Sequence, residues 1–290
     1  MELLGPGSKI GNITLGDPIP TERGGVFQGK SDTGVDVIVK TSINAVREPQ
    51  AVRMEAWVLS STNLYWRNKF GERTPGIVPL YGFWEHGNEA TLATEFVPHD
   101  ESLATAELTT AESLSVTCDA ADILSLVHRA NFRINDPNLT NWLLHRSQVP
   151  TVTFLDAEHA VPRHERTVNM GRRRYMSPDK LLRHPNDDRR IDSWVLGVNL
   201  AVLVSGRFPY EVPHIGADQK ATRNAVHAML TQEPWHYNAE VQASVDPLVR
   251  RIVYDSTRCP PDVRLSLKDI GDRCAAAFQY FTGKVKPRIV

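Results

Sequence analysis

The chain has 290 residues, 41% of them hydrophobic and 23% charged, with 33 basic residues against 34 acidic ones. That is long enough for two domains or one large two-lobed unit, and apolar enough to exclude a disordered tail protein. A formal net charge of -1 argues against a surface tuned as a whole to coat nucleic acid or anionic lipid.

The first hundred residues read as strands joined by turns. Val35 to Lys40 alternates like a strand after the turn at Ser31-Asp32-Thr33-Gly34. Pro49 to Ser60 predicts a helix, since a first-turn proline costs nothing and Val52, Ala56, Trp57 and Leu59 supply an apolar stripe. Asn63 to Thr74 then reads as a long connection, a surface loop in preference to a partner contact. Ile77 to Trp84 and Ala90 to Val97 are further strands, separated by the polar turn Glu85-His86-Gly87-Asn88.

After Pro98-His99-Asp100 the texture changes. Ala111 to Ala130 is a long helical segment, and Asp192 to Ser205 is apolar nearly all round, which implies burial among other helices. Leu248 to Tyr254 and Leu267 to Phe281 complete a mainly helical second half. The fold class expected is α+β: a small β-rich lobe over residues 1–97, with one main helix at about 50–60, and a larger helical lobe over 98–290, hinged at Glu95 to Glu101.

Cys118, Cys259 and Cys274 are odd in number, far apart, and in no C-x-x-C pair. They fit reduced thiols in an intracellular, cytoplasmic compartment better than a disulfide framework or a zinc site. The N-terminus lacks the basic region and apolar run of a secretory signal. Trp194 to Val204, the longest apolar stretch, is interrupted by Asn199 and too short to span a bilayer.

Three places carry chemistry. Lys40 ends the strand Val37-Ile38-Val39-Lys40, and Glu55 on the next helix could pair with it and fix it against a phosphate. Asp136-Pro137-Asn138-Leu139-Thr140-Asn141 places a carboxylate five residues before an amide; a polar turn is the plainer account of those residue types. Val152-Thr153-Phe154-Leu155-Asp156 is an apolar strand ending in a carboxylate. Two carboxylates and an amide at loop ends can hold magnesium and orient a hydroxyl, as phosphoryl transfer needs.

In that order, from about Leu15 to Phe281, the series resembles the eukaryotic-type Ser/Thr protein kinase family, as a divergent member. Val37 to Lys40 is similar to the family's strand-lysine motif, Glu55-Ala56-Trp57-Val58-Leu59 to its C-helix glutamate, and Thr94-Glu95-Phe96-Val97 to gatekeeper and hinge. Val127-His128-Arg129 through Asp136, followed by Asn141, resembles the helix end, catalytic loop and magnesium asparagine. Leu155-Asp156-Ala157-Glu158 stands where Asp-Phe-Gly is expected, and Tyr175-Met176-Ser177-Pro178-Asp179 where Tyr-Met-Ala-Pro-Glu is expected. Ile191 to Val198 resembles the buried F-helix motif, and Arg264 the late arginine that pairs with the Ala-Pro-Glu carboxylate. Any one motif is weak; their order along the chain carries the resemblance.

The resemblance implies a bilobal kinase fold, ATP and Mg²⁺ as cofactors, and a protein substrate. Lys40, held by Glu55, would neutralise the α- and β-phosphates, Asp156 and Asn141 would bind Mg²⁺, and Asp136 would accept the substrate hydroxyl proton. Backbone groups of Glu95 and Val97 would read adenine, with Val26 above it and Leu143 below; Gly24 belongs to the phosphate loop, and Glu101 would meet ribose. Asp192 would tether the catalytic loop from beneath.

The departures bear on activity. Counting back from Lys40, the phosphate loop reads Ile19-Pro20-Thr21-Glu22-Arg23-Gly24-Gly25-Val26, where only the last family glycine survives. Ile38 replaces a small residue in the adenine pocket, and Asn135 replaces the arginine that answers a phosphate on the activation segment, where Thr167 is present. Asn138 replaces a lysine that neutralises the transferring phosphate, a loss of a few kcal/mol in an electrostatic transition state; Arg172 or Arg173 could supply that charge. Ala157-Glu158 departs from the aromatic and glycine that follow the metal aspartate. Because Lys40, Glu55, Asp136, Asn141 and Asp156 are all kept, the expectation is an active kinase with a catalytic loop lacking the usual Arg-Asp pair. The alternative is a pseudokinase, a nucleotide-binding or scaffold module without turnover. A small-molecule phosphotransferase ranks third.

Arg163, Arg166, Arg172, Arg173 and Arg174 crowd the segment that would face substrate, either as a solvated basic face or as a preference for acidic or phosphorylated sequence near the acceptor. No aromatic residues interleave with them as nucleic-acid binding would need, and no membrane partner is expected. The sequence carries no sign of oligomeric state. His86, His99, His128, His159 and His164 lack metal-ligand spacing and read as surface or turn residues; Cys118 and Cys274 read as core thiols.

Overall fold

A computed structural model of the chain describes residues 4–21, 23–43, 45–71, 75–165, 172–181, 190–210, 239–258 and 261–289. It divides into two compact units, Met1–Pro98 with Leu155–Ala160, and His99–Phe154 with Val161–Val290. The short segment Leu155–Ala160 therefore belongs with the first unit, despite its position in the chain.

The first unit is built on one antiparallel sheet of β1 (Lys9–Ile10), β2 (Ile13–Pro18), β3 (Val26–Ser31), β4 (Asp36–Thr41), β5 (Leu80–His86) and β6 (Glu89–Glu95), in the order β1-β2-β3-β4-β6-β5. Alternation along β4 sends Val37 and Val39 to a core with Ile13, Leu15, Phe27 and Ala93. Lys40 goes to the opposite face, where it sits across from Leu92 of β6. Leu92 and Ala90 pack there against Val52 and Ala56 of helix α1 (Pro49–Phe70). One period-2 pattern thus buries one side of the sheet and turns the lysine toward the helix.

Helix α1 corrects the sequence reading twice. It does not stop near Ser60 but runs to Phe70, so most of the expected loop Asn63 to Thr74 is helix. Thr62 and Trp66 continue its buried face, Trp66 stacks on Phe70 at 4.1 Å, and Gly71, at φ 74°, closes the helix in a left-handed cap. The next strand begins at Leu80 rather than Ile77, and the turn between β5 and β6 narrows to Gly87-Asn88.

The second unit centres on α2 (Thr110–Arg129), opened by a reciprocal capping box between Thr109 and Glu112. Its residues are buried almost all round because α4 (Ile191–Ser205) and α7 (Leu267–Thr282) both pack on it. The short α3 (Pro178–Leu181), α5 (Ala239–Ser244) and α6 (Pro247–Ser256) complete the helical set among the described residues. Gly197 lets α4 approach the end of α6 closely, since a Cβ there would lie 2.7 Å from that of Ser256. The chain beyond α7 is strapped back onto α2: Lys286 Nζ lies 2.8 Å from Asp119 Oδ1, and Arg288 Nε 2.9 Å from Asp122 Oδ2.

Two small sheets frame the loop that carries Asp136. β9 (Trp142–His145) pairs with β7 (Glu101–Ser102) and β10 (Thr151–Phe154), while β8 (Phe132–Arg133) pairs with β11 (Val161–Pro162). Trp142 and Phe154, both buried, meet at 4.9 Å and anchor the loop's end; fully burying such a side chain contributes about 1.5–3 kcal/mol. Among the described residues, no helix is long and apolar enough to cross a membrane.

Candidate functional site

In the first unit the structure brings Lys40, Glu55 and Asp156 together. Lys40 Nζ lies 2.6 Å from Glu55 Oε1 and 3.6 Å from Asp156 Oδ1. Burial alone would lower the lysine's pKa, but the Asp156 and Glu55 carboxylates outweigh it and hold the ammonium above its usual range. Burial pushes Glu55 up to about 7 against the opposing pull of Lys40, and its second oxygen has no hydrogen-bond partner. Asp156 moves the other way: burial would raise it, yet Lys40 and the Glu158 N–H keep it ionised below the ordinary carboxylate range. Both of those contacts fall on Oδ1, and 26% of the Asp156 side chain is exposed, so the carboxylate retains an oxygen for a hard cation.

The other predicted residues of the unit lie on the same sheet and its turns. Val26, buried on β3, is the cross-strand partner of Lys40. Gly24 and Gly25 both take positive φ in the turn that precedes it. Gly25 is obligatory there, because a Cβ would run into the Thr41 carbonyl oxygen and lie 2.7 Å from Ala45 Cβ. Glu95 ends β6 with its N–H donating to Pro79 O at 3.0 Å, and Val97 follows Phe96, whose N–H donates to Asp36 O at 2.9 Å. Glu22 lies outside the described residues.

The second unit holds Asp136 and Asn141. Buried Asp192 at the start of α4 accepts the N–H of Ile134 at 3.0 Å and of Asn135 at 2.8 Å, which steadies Asn135 at a left-handed φ of 66°. The Asp136 carbonyl accepts the Asn141 amide at 2.9 Å, so the two candidate residues are tied through the backbone. Asp136 is only 5% exposed, and its Oδ1 takes the Arg172 N–H at 3.3 Å. Asn138 is buried and uses its side-chain oxygen to cap the 3-10 turn Leu139–Asn141 through Thr140. Leu143 is buried on β9, and Glu101 on β7 pairs with Arg146 at 2.6 Å.

Several residues escaped the sequence reading. His128 is not a surface or turn residue: its Nε2 lies 2.8 Å from Asp192 Oδ2, and its ring is mostly buried. A lone histidine at a helix end carries no signal by itself; the resemblance of the helix end was the available clue. Arg23, Arg47 and Glu158 form an ion group in the first unit, with Arg23 Nη1 2.5 Å from Glu158 Oε1 and Arg47 Nη1 on Oε2. Arg264 is buried, lies 4.9 Å over the Trp194 ring and donates Nε to Arg258 O. Its expected partner is the Asp179 side chain, which lies outside the described residues, as do Arg166, Thr167, Cys259 and the Arg173 side chain. Arg172 and Arg174 are exposed. Burial pushes the Cys118 thiol up to about 12 and Cys274 well above its usual value, as inert core thiols should behave.

No group of three or more His, Cys, Asp and Glu side chains able to hold a metal occurs among the described residues. In the first unit the Asp156 carboxylate offers hard oxygen donors, which suit Mg²⁺, a cation that keeps waters and takes few protein ligands.

Residues 22–273 match the family described as protein kinase domain. The chain is 26% identical over 273 residues to calmodulin-binding receptor-like cytoplasmic kinase 1 of Arabidopsis thaliana, covering 86% of this chain and 56% of that protein. It is 24% identical over 202 residues to an Aurora kinase of Yarrowia lipolytica, covering 68% of this chain and 51% of the relative. Against serine/threonine-protein kinase SRK2E of Arabidopsis thaliana it is 25% identical over 150 residues, 51% of this chain and 40% of the other. The chain thus spans about half the length of the curated relatives it matches. Among solved structures, the Cydia pomonella granulovirus kinase PK-1 is similar with a TM-score of 0.67 at 17% identity, over 89% of this chain and 92% of that one, which shows the fold alone.

Proposed function

The chain belongs to the protein kinase domain family, with its sheet-rich N-lobe and helical C-lobe, and from that premise we propose that it is an ATP- and Mg²⁺-dependent protein kinase acting on serine or threonine hydroxyls. Lys40, clamped by Glu55, meets the α- and β-phosphates of ATP. Asp156 and Asn141 would hold Mg²⁺, which when bound would neutralise charge developing on the transferring phosphate. Asp136 orients the substrate hydroxyl and accepts its proton. Glu95 and Val97 present backbone groups to adenine, Val26 and Leu143 sandwich it, Gly24 lies in the phosphate loop, and Glu101 meets ribose once released from Arg146. The basic residues Arg163, Arg172 and Arg174 favour acceptors with acidic or phosphorylated neighbours. A reducing, cytoplasmic compartment suits the free thiols of Cys118 and Cys274.

The observation that carries this reading is the single ammonium of Lys40 held between Glu55 at 2.6 Å and Asp156 at 3.6 Å, residues far apart in the chain. That convergence is the arrangement that binding and orienting nucleotide phosphates needs. One observation favours the pseudokinase reading instead: Asn138 spends its side chain on capping the 3-10 turn and puts no cation beside Asp136. Labelled phosphate transfer from ATP to the protein itself, a generic acceptor or a lysate, compared between wild type and Asp136→Ala, separates the two. Transfer that vanishes in the variant is expected. Nucleotide-dependent stabilisation of wild type without transfer to any acceptor would establish the scaffold reading.

A further inference from the structure

Glu158 stands two residues after the metal aspartate, where the family pattern has glycine. Its backbone N–H donates to Asp156 Oδ1 at 3.1 Å, a bond that glycine could also make. Its side chain does what glycine cannot. It is 9% exposed and is gripped from two directions, by Arg23 of the turn between β2 and β3 at 2.5 Å and by Arg47 of the segment that leads into α1. Arg47 is itself 6% exposed, and its Nε is buried without a hydrogen-bond partner. Its charge also acts on Lys40, Glu55 and Asp156. The turn that carries Arg23 is tied to the same segment, since the Val46 N–H donates to Arg23 O at 3.1 Å.

The buried Arg47–Glu158 pair is weak as a source of stability, because desolvating its two charges offsets most of their attraction, and the exposed Arg23 adds little. What it does supply is position. Asp156 sits at the start of a short segment, and one backbone bond leaves its carboxylate free to swing. With Glu158 anchored to the sheet turn on one side and to the entry of α1 on the other, that segment has one place to lie, and Asp156 Oδ1 is kept on Lys40. We infer that Glu158, fixed by Arg47 and Arg23, is a positioning residue that sets the orientation of the Asp156 carboxylate toward the metal-bound nucleotide. This rests on the kinase reading.

The test uses the whole chain at a fixed ATP concentration, first in chelator and then with Mg²⁺ added stepwise, with the melting temperature as readout. Outer partners of a metal-binding carboxylate are worth roughly 10–100-fold in metal affinity. Glu158→Gln and Arg47→Met should therefore raise the Mg²⁺ concentration at half the metal-dependent stabilisation by about that factor. The shift given by ATP in chelator should be unchanged, and Arg47→Lys should recover most of the loss. The double variant should be no worse than either single one. In phosphate transfer, KM for Mg·ATP should rise by about the same factor, because metal-free ATP binding is unchanged and the binding cycle must close. Should Glu158→Gln fail to fold, Arg23→Gln, at a side chain 43% exposed, must shift the Mg²⁺ midpoint in the same direction by a smaller factor. A lower melting temperature with an unmoved Mg²⁺ midpoint, in either variant, overturns the inference while leaving the kinase reading intact. A wild type without any Mg²⁺- and ATP-dependent stabilisation overturns both.

Discussion

His128 Nε2 lies 2.8 Å from Asp192 Oδ2, while Oδ1 of the same carboxylate holds the Asn135 N–H, also at 2.8 Å. One buried side chain at the start of α4 therefore joins the end of α2 to the loop that carries Asp136. Asp192→Ala strands two backbone donors and a histidine, and should cost at least about 1–3 kcal/mol in urea unfolding, the range for leaving one buried donor unpaired. Asp192→Asn should cost less but still depress transfer, because its amide N–H faces groups that themselves donate. Burial would raise Asp192, yet His128 and the two loop N–H groups hold it below the usual carboxylate range. Its contribution is thus present above the unfolded value of about 3.9 and lost as pH falls through the lower native value. An Asp192→Ala protein as stable as wild type would remove the anchoring role.

Glu55 gives a pH dependence of the opposite sign. Its pKa is raised from 4.5 to about 7, so between those values the native state keeps a proton that the unfolded chain has released. Stability attributable to this group should fall as pH rises through that window, and Glu55→Gln should flatten the slope in urea titrations. Over the same range Glu55 becomes the anion that clamps Lys40, so nucleotide binding should improve toward and above pH 7 in wild type and not in the variant. Parallel pH profiles for the two proteins would exclude Glu55 as the titrating group.

Gly24 and Gly25 share a left-handed backbone but differ in surroundings. Nothing lies within 4 Å of a Cβ on Gly24, whereas one on Gly25 meets Thr41 and Ala45. Gly24→Ala should cost about 1–2 kcal/mol, the backbone term alone. Gly25→Ala should add overpacking of about 1–3 kcal/mol, and a midpoint comparison in denaturant distinguishes them. Equal losses would mean that the turn does not rest on β4.

The extension of α1 beyond Ser60 is testable by contrast within one helix. Trp66 is buried and stacks on Phe70, so Trp66→Ala should cost about 3–5 kcal/mol. Leu64 is exposed two residues earlier, and Leu64→Ala should stay within about 0.5 kcal/mol. Calorimetry that finds both changes equally mild would argue for a loop at these positions.

The sequence was informative where chemistry is local or where motifs keep their order. Val37 and Val39 report their strand by alternation, Lys40 and Glu55 sit on that strand and the next helix, and Asp136, Asn141 and Asp156 stand out in loops beside recognisable elements. The end of α1 was hidden by its composition: Asn63, Asn68 and the polar residues around them dilute the apolar stripe, and only Trp66 and Phe70 extend it. The Arg23–Glu158 and Arg47–Glu158 pairs are 135 and 111 residues apart, so no periodicity or spacing could announce them. Only the departure from glycine at position 158 marked the spot. His128 was misread because its partner, Asp192, lies 64 residues further on.

The strap formed by Lys286 and Arg288 has a consequence for synthesis. Asp122 leaves the ribosome 166 residues ahead of the arginine that neutralises it, and Asp119 likewise waits for Lys286. Until that late stretch emerges, the helical unit carries two acidic groups that its interior cannot yet accommodate. Nascent chains cut short before the strap should be richer prey for proteases and chaperones than chains that include it.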